Sequence, residues 1–185
     1  LNDGEGNFTE VPDVSLEGVM QSDIACTDVD GDDDLDILLT GLNQQEEKTA
    51  KLYLNDGLGN FSERLDTPFE GVIEGATAFA DFDQDGDQDV VITGIAEKDN
   101  ISKLYLNDGL GNFTELMDTP FRGAGEGDLA FADVNSDEKP DLMLTGVDIL
   151  YTSSDSSSTL EVIFSLLYLN LGNGKFVQVE NDPFE

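Results

Sequence analysis

The chain repeats itself, and this repetition limits its folds more than any other feature of the sequence. The eleven residues KLYLNDGLGNF occur at Lys51 to Phe61 and again, unchanged, at Lys103 to Phe113, and a relaxed copy, LLYLNLGNGKF, begins at Leu166. An acidic stretch, DFDQDGDQD in its middle copy, starts at residues 28, 81 and 133, at intervals of 53 and 52 residues. The sequence therefore predicts an array of similar structural units.

Each unit contains four segments with the pattern of short β-strands, and none shows a sustained helical period. A small alternating segment such as GATAFAD precedes the acidic stretch, and an apolar segment such as DVVITG follows it, as expected of a strand covered on both faces. KLYLN and NFTEL come last, joined by Asn, Asp and Gly residues typical of a hairpin. Tandem four-stranded antiparallel units predict an all-β fold, a β-propeller of about three complete blades plus a partial one.

The repeats divide the 185 residues into blades of a single propeller segment. The last blade carries an insertion between its second and third strands, which we interpret as a lengthened hairpin with a serine-rich tip from Ser153 to Ser158. This hairpin is either a tolerated surface insertion or a contact surface. The predicted bounds are 1–17 for the partial blade, 18–70, 71–122 and 123–185 for the complete blades, and 147–165 for the inserted hairpin.

The middle acidic stretch places five carboxylates within nine residues, and these repel one another unless a cation offsets their charge. Aspartates at positions one, three, five and nine, with a turn residue at six and a backbone carbonyl at seven, supply six or seven oxygen ligands, which suits Ca²⁺ better than Mg²⁺. An EF-hand begins in the same way but needs Glu at position twelve between two helices. Leu39, Ile92 and Leu144 hold that position here, inside predicted strands, so an EF-hand is excluded.

At these residues the chain resembles the FG-GAP repeat family, which is of the integrin α type and is also called VCBS. The resemblance rests on the motif D-x-D-x-D-G-x-x-D, which lies between an A-x-A-D-like strand and an apolar strand ending in Thr-Gly. The motif recurs in register with LYLNDGLGNF, and the resemblance covers almost the whole chain. It implies a β-propeller, usually seven-bladed, with Ca²⁺ in the loop between a blade's first two strands. It also implies a role outside the cytoplasm, in adhesion, in carbohydrate recognition or as an accessory domain of an enzyme.

Carried over by position, the resemblance implies up to three Ca²⁺ ions, one in each acidic loop. Asp33 and Glu138 replace the turn glycine at position six of the first and third loops. The third loop also has an amide at position three and a lysine at position seven, so we expect its site to be the weakest. The implied ligands are Asp28, Asp30, Asp32, Asp34 through its carbonyl and Asp36 in the first loop; Asp81, Asp83, Asp85, Asp87 through its carbonyl and Asp89 in the second; and Asp133, Asn135, Asp137, Lys139 through its carbonyl and Asp141 in the third.

Charge and composition exclude several classes of function. The chain has 41 Asp and Glu against 8 Lys and Arg, a net charge of -33, so nucleic acids and anionic membranes are poor partners. No stretch approaches the roughly 20 apolar residues of a membrane span. With no histidine and one cysteine, the chain cannot form a His-dependent triad, the common zinc sites or an internal disulfide, and we predict that it is not an enzyme.

Cys26 takes the place of Phe79 and Phe131 in the other repeats, which predicts a buried thiol.

The leading functional hypothesis is a calcium-stabilised binding or cell-adhesion module, secreted or at the cell surface, with a protein or glycan ligand. A lectin-like propeller and an accessory or structural domain of a larger secreted enzyme stay open as alternatives. The tyrosines of LYLN (Tyr53, Tyr105 and Tyr168) are predicted to pack between blades, with sugar stacking as the alternative. Propellers close with about four to eight blades, so we expect additional blades, from the same or another polypeptide, to cover the terminal faces.

Overall fold

A computed structural model describes residues 2, 4–11, 14, 16–151 and 159–180, with the backbone alone at 149–151 and 159–160. Within these ranges the chain forms twelve strands and no helix, which confirms the all-β prediction, and it contains no helix of the length and apolarity that crossing a membrane requires. The strands are β1 (Met20–Thr27), β2 (Asp36–Leu42), β3 (Lys48–Asn55), β4 (Phe61–Arg64), β5 (Ile73–Ala80), β6 (Asp89–Ile95), β7 (Asn100–Asn107), β8 (Phe113–Leu116), β9 (Gly125–Ala132), β10 (Asp141–Tyr151), β11 (Thr159–Asn170) and β12 (Phe176–Gln178).

The strands form three four-stranded antiparallel sheets, each a meander in chain order. The first sheet contains β1 to β4, the second β5 to β8 and the third β9 to β12. The predicted hairpin turns join the last two strands, so that Asn55 pairs with Phe61 and Asn107 with Phe113. These sheets are the propeller-like blades that the repeats predict, and they do not close into a ring.

The hydrophobic core lies between adjacent sheets, in two clusters. In the first cluster, Leu38 of the first sheet and Val29 of the loop between β1 and β2 lie in the same core as Val90 and Ile92 of the second sheet. The strand β6 is buried along its length except at its last residue, because sheets cover both of its faces. The second cluster joins the second sheet to the third and includes Phe82, Val91, Leu104, Leu142, Leu166 and Tyr168.

The tyrosine of each LYLN segment is buried and binds the linker that precedes its blade. Tyr53, Tyr105 and Tyr168 are 2%, 0% and 0% exposed, and their hydroxyl groups accept hydrogen bonds from the backbone N–H groups of Glu17, Glu70 and Arg122 at 3.2, 3.3 and 3.0 Å. The predicted packing between blades is confirmed for Tyr105 and Tyr168, which lie in the clusters between sheets, and it stays a prediction for Tyr53. All three rings are buried and offer no face to a sugar.

Each first strand contains a bulge that brings it close to the second strand of its blade. Glu74 in β5 has a left-handed φ of 49°, and Gln21 and Glu126 match it with 50° and 49°. A Cβ on Gly94, in the repeated Thr-Gly of the second strand, would lie 2.9 Å from the carbonyl oxygen of Ile73. The glycine of Thr-Gly is therefore required by the close approach of the two backbones.

The prediction of a buried thiol at Cys26 is wrong, because its side chain is exposed. The equivalent Phe79 and Phe131 pack into the cores between sheets. Cys26 belongs to the first sheet, and no sheet precedes it within the described ranges. A position that packs between sheets in the second and third repeats is therefore on the surface in the first.

The inserted hairpin lengthens the second and third strands of the last blade. The strands β10 and β11 pair without interruption from Leu142 with Tyr168 to Tyr151 with Thr159, whereas the pairing of β10 with β9 ends at Val147 with Gly125. The hairpin thus projects beyond the rest of its sheet. Its predicted serine-rich tip lies outside the described residues.

Candidate metal centres

The acidic stretches form three equivalent loops, each between the first and second strands of a blade. The aspartate at position one folds each loop around its carboxylate. Asp28 accepts hydrogen bonds from the backbone N–H groups of Gly31 at Oδ1 (2.8 Å) and Asp33 at Oδ2 (2.9 Å). Partial burial acts to raise the pKa of Asp28, but these N–H groups outweigh it and hold the pKa below its ordinary value. This carboxylate is therefore ionised and fixed in place.

The loops turn sharply because two of their residues are left-handed. The sequence indicated a turn at position six, where Asp33, Gly86 and Glu138 have φ values of 70°, 101° and 66°. The residue at position four of each loop is also left-handed, which the sequence did not predict. These residues are Gly31, Gln84 and Ser136, with φ values of 78°, 66° and 63°. Each non-glycine residue in this conformation adds strain of roughly 1 kcal/mol or more.

The first two loops each bring together the carboxylates of positions one, three and nine. One carboxylate oxygen from each member lies within 4.8 Å of the others. Burial, followed by the charges of neighbouring aspartates, raises the pKa of Asp30 in the first loop and of Asp83 in the second. Net negative charge is thus concentrated at these points, and Arg64 offsets it only in part at Asp30. The two clusters are Asp28, Asp30 and Asp36, and Asp81, Asp83 and Asp89.

The aspartate at position nine has a second role, because it ties the loop to the third strand. Asp89 has no exposed surface; its Oδ2 accepts a hydrogen bond from the N–H of Phe82 and its Oδ1 from the N–H of Asn107, both at 2.9 Å. Burial raises its pKa to about 6. Asp36 and Asp141 are also buried and accept the corresponding hydrogen bonds at 2.8 to 3.0 Å. The donors are the N–H groups of Val29 and Asn55 for Asp36, and those of Val134 and Asn170 for Asp141. Each oxygen keeps a lone pair that a cation can use.

Positions five and seven lie outside the two clusters. Oδ1 of Asp32 accepts a hydrogen bond from the N–H of Asp34, and Oδ1 of Asp85 from that of Asp87, both at 3.0 Å. The predicted ligand roles of Asp32 and Asp85, and of the carbonyl groups at position seven, stay predictions.

The third loop has no three-carboxylate cluster within the described ranges. Asn135 stands at position three, and its Oδ1 accepts a hydrogen bond from the N–H of Asp137 at 2.9 Å. Lys139 Nζ lies 2.8 Å from Asp137 Oδ2 and lowers the pKa of that carboxyl. The third loop therefore contains a cation of its own, which the first two loops lack. This arrangement favours a weaker third site, which stays a prediction.

A family model for the FG-GAP-like repeat matches residues 28–92 and again residues 81–144. These two matches span all three acidic loops and more than half of the chain. The chain belongs to the FG-GAP-like repeat family. FG-GAP-like repeats are generally non-catalytic structural modules, often bind calcium and typically occur in extracellular proteins. A comparison with curated proteins found no match.

The first two FG-GAP-like loops fit the Ca²⁺ ion that the family implies. Oδ1 of Asp30 is buried and has no hydrogen-bond partner among the described residues. A buried carboxylate oxygen without a partner is unfavourable, and a cation would satisfy it. The residues that would hold the ion are Asp28, Asp30 and Asp36 in the first loop and Asp81, Asp83 and Asp89 in the second.

The asparagine that ends each LYLN segment is a site residue that the sequence reasoning missed. Nδ2 of Asn107 donates hydrogen bonds to the carbonyl oxygen of Gln88 in its own loop at 3.2 Å and to that of Val29 in the preceding loop at 2.9 Å. Its recurrence, as Asn55, Asn107 and Asn170, was the available signal. This FG-GAP-like repeat therefore places a loop-binding amide at a fixed point of each blade.

Proposed function

We propose that this FG-GAP-like repeat chain is a calcium-stabilised, non-enzymatic binding or cell-adhesion module that acts outside the cell. The observation that carries the proposal is the pair of three-aspartate clusters, one of which contains the unpartnered buried Oδ1 of Asp30. Anionic oxygen ligands on a loop favour Ca²⁺ over softer metals. Bound Ca²⁺ would supply the positive charge that these loops lack.

The class of site supports the proposed extracellular location. Asp-rich loops of extracellular modules bind calcium with dissociation constants of roughly 10⁻⁴ to 10⁻³ M, so the low calcium of the cytosol would leave them empty. The typical occurrence of FG-GAP-like repeats supports the same location. We therefore propose a secreted or cell-surface protein.

Calcium titration of the metal-stripped chain by isothermal calorimetry tests the proposal. We expect two ions bound with dissociation constants in the micromolar to millimolar range, a weaker third, and little heat with Mg²⁺. Asp30→Ala is expected to remove one of the two ions, and Asp56→Ala, which changes the net charge equally but lies in a hairpin outside the loops, is the matched control. An absence of calcium binding would contradict the metal site, and nanomolar affinity would contradict the extracellular location.

The partners that we propose are further blades and a protein or glycan ligand at the cell surface. The outer face of the third sheet supports further blades: Val134 is 54% exposed there, whereas Val29 and Phe82, at the same position in the first and second repeats, are 1% and 0% exposed. Val134, together with Met143 and Leu167, lines an apolar cavity of about 260 Å³. A further blade of the same repeat would cover this face of the third sheet, just as the second sheet covers the first and the third sheet covers the second.

Joining a second copy of residues 71–122 after residue 185 tests the proposed blade contact. We expect a higher melting temperature and weaker binding of an apolar fluorescent dye. Dye binding that does not fall would count against this partner. For the ligand, cells that bind the chain while glycan arrays stay silent would favour a protein, and signals on the arrays would favour a glycan.

A further inference from the structure

The metal loops of neighbouring blades are joined by a continuous series of hydrogen bonds. In the first loop, the N–H of Val29 donates to Oδ2 of Asp36 at 2.9 Å. The carbonyl oxygen of the same Val29 accepts a hydrogen bond from Nδ2 of Asn107, in the next blade, at 2.9 Å. The N–H of Asn107 in turn donates to Oδ1 of Asp89 at 2.9 Å. The position-nine aspartates of the first and second loops are thus connected through the backbone of Val29, whose N–H and carbonyl belong to two consecutive peptide groups, and through one asparagine.

The same series continues into the third blade. The N–H of Phe82 donates to Oδ2 of Asp89 at 2.9 Å, and its carbonyl oxygen accepts a hydrogen bond from Nδ2 of Asn170 at 2.9 Å. The N–H of Asn170 donates to Oδ1 of Asp141 at 2.8 Å. Both bridging amides lie in the buried part of the blade interface, so water does not replace them easily.

The first blade provides an internal comparison, because its asparagine makes no such bridge. The N–H of Asn55 donates to Oδ1 of Asp36, and its Nδ2 donates to the carbonyl oxygen of Leu35 at 3.1 Å, both within its own blade. Within the described ranges there is no preceding loop for it to meet. Asn55 therefore has the same chemistry as Asn107 without the contact to a second loop.

We infer that Asn107 and Asn170 are positioning residues that couple the cation loops of adjacent blades, so that an ion in one loop raises the affinity of the next. The inference rests on the proposed calcium function. Each bridge fixes the peptide that follows position two, which leads directly to the position-three aspartate of the neighbouring loop. An ion that orders one position-nine aspartate thereby restrains Asn107 or Asn170, and the neighbouring loop loses less freedom when it binds its own ion.

The test is a thermodynamic cycle of calcium affinities, measured by calorimetry on the 185-residue chain with the third loop silenced by Asp137→Ala. The affinity of the first loop alone is measured with Asp83→Ala, and that of the second loop alone with Asp30→Ala. The coupling factor is the product of the two binding constants in the chain with both loops active, divided by the product of the single-loop constants. We expect a factor of roughly fivefold, the effect of one net hydrogen bond.

Asn107→Ala is expected to reduce this factor to about one-fold, that is, to independent loops. Asn55→Ala, the matched control, is expected to weaken the first loop and to leave the factor unchanged. A purely structural role of Asn107 would lower the melting temperature without altering the factor. Coupling that survives Asn107→Ala, or that is absent from the parent chain, overturns the inference while the calcium function stands, whereas an absence of calcium binding overturns both.

Discussion

Removal of calcium is expected to lower the melting temperature of this chain by about 10–20 °C, a shift that follows from the two aspartate clusters. At 10 mM Ca²⁺ and a dissociation constant of about 10⁻⁴ M, each occupied site stabilises the folded state by about 2.7 kcal/mol. Two sites give about 5 kcal/mol, and 1 kcal/mol corresponds to roughly 2–4 °C for a chain of this size. Scanning calorimetry of the metal-stripped chain, with and without 10 mM Ca²⁺, measures the shift.

Single substitutions divide this shift between the loops. Asp30→Ala and Asp83→Ala are each expected to remove about half of the calcium-dependent stabilisation, since each deletes the position-three ligand of one cluster. Asp56→Ala should leave the shift intact, and Mg²⁺ at the same concentration controls for general charge screening. If the Asp30→Ala, Asp83→Ala double variant kept the full shift, the assignment of calcium to these loops would be refuted.

Three further outcomes can be measured on the same chain. Tyr168→Phe is expected to destabilise the fold by about 1 kcal/mol in urea unfolding, because the N–H of Arg122 loses its acceptor at 3.0 Å; an unchanged midpoint would contradict this. Replacing Lys139 by Gln should strengthen calcium binding at the third loop in calorimetry, because Asp137 is released from its 2.8 Å ion pair, and unaltered binding would count against that pair as the cause. In metal-stripped protein, stability should fall as the pH rises from 5 to 7. Burial raises the folded-state pKa of Asp89 to about 6, so the native state holds this proton more tightly than the unfolded chain does. A melting temperature that rises over this range would show that other groups dominate.

The order of strands, the place of the hairpins and the position of the acidic loops were predictable because each depends on residues close together in the chain. DVVITG is apolar along its length and forms the buried β6, and the Asn-Asp-Gly turns close the hairpins between Asn55 and Phe61 and between Asn107 and Phe113. Letter-for-letter repetition then carried one local prediction from blade to blade.

The fate of Cys26 was not predictable in this way. Its position packs between sheets in the second and third repeats, but burial depends on whether another sheet lies against that face, and the cysteine is exposed. The left-handed residue at position four was also missed, since Gln84 and Ser136 carry no sign of that conformation. Loop closure around the carboxylate of position one imposes it from outside the residue itself.

The sequence by itself determined that the chain forms β-blades with carboxylates clustered in their loops, since strand patterns, turn residues and charge are local properties. Only the tertiary structure decided which carboxylates meet, that the position-nine aspartates are bound to backbone N–H groups on both oxygens, and that one blade's asparagine holds its neighbour's loop. Asn107 and Val29 lie 78 residues apart in the chain, and Asn170 and Phe82 lie 88 apart. Such contacts exist only once the sheets stack face to face, because the stacking brings the end of one blade's third strand against the loop of the blade before it.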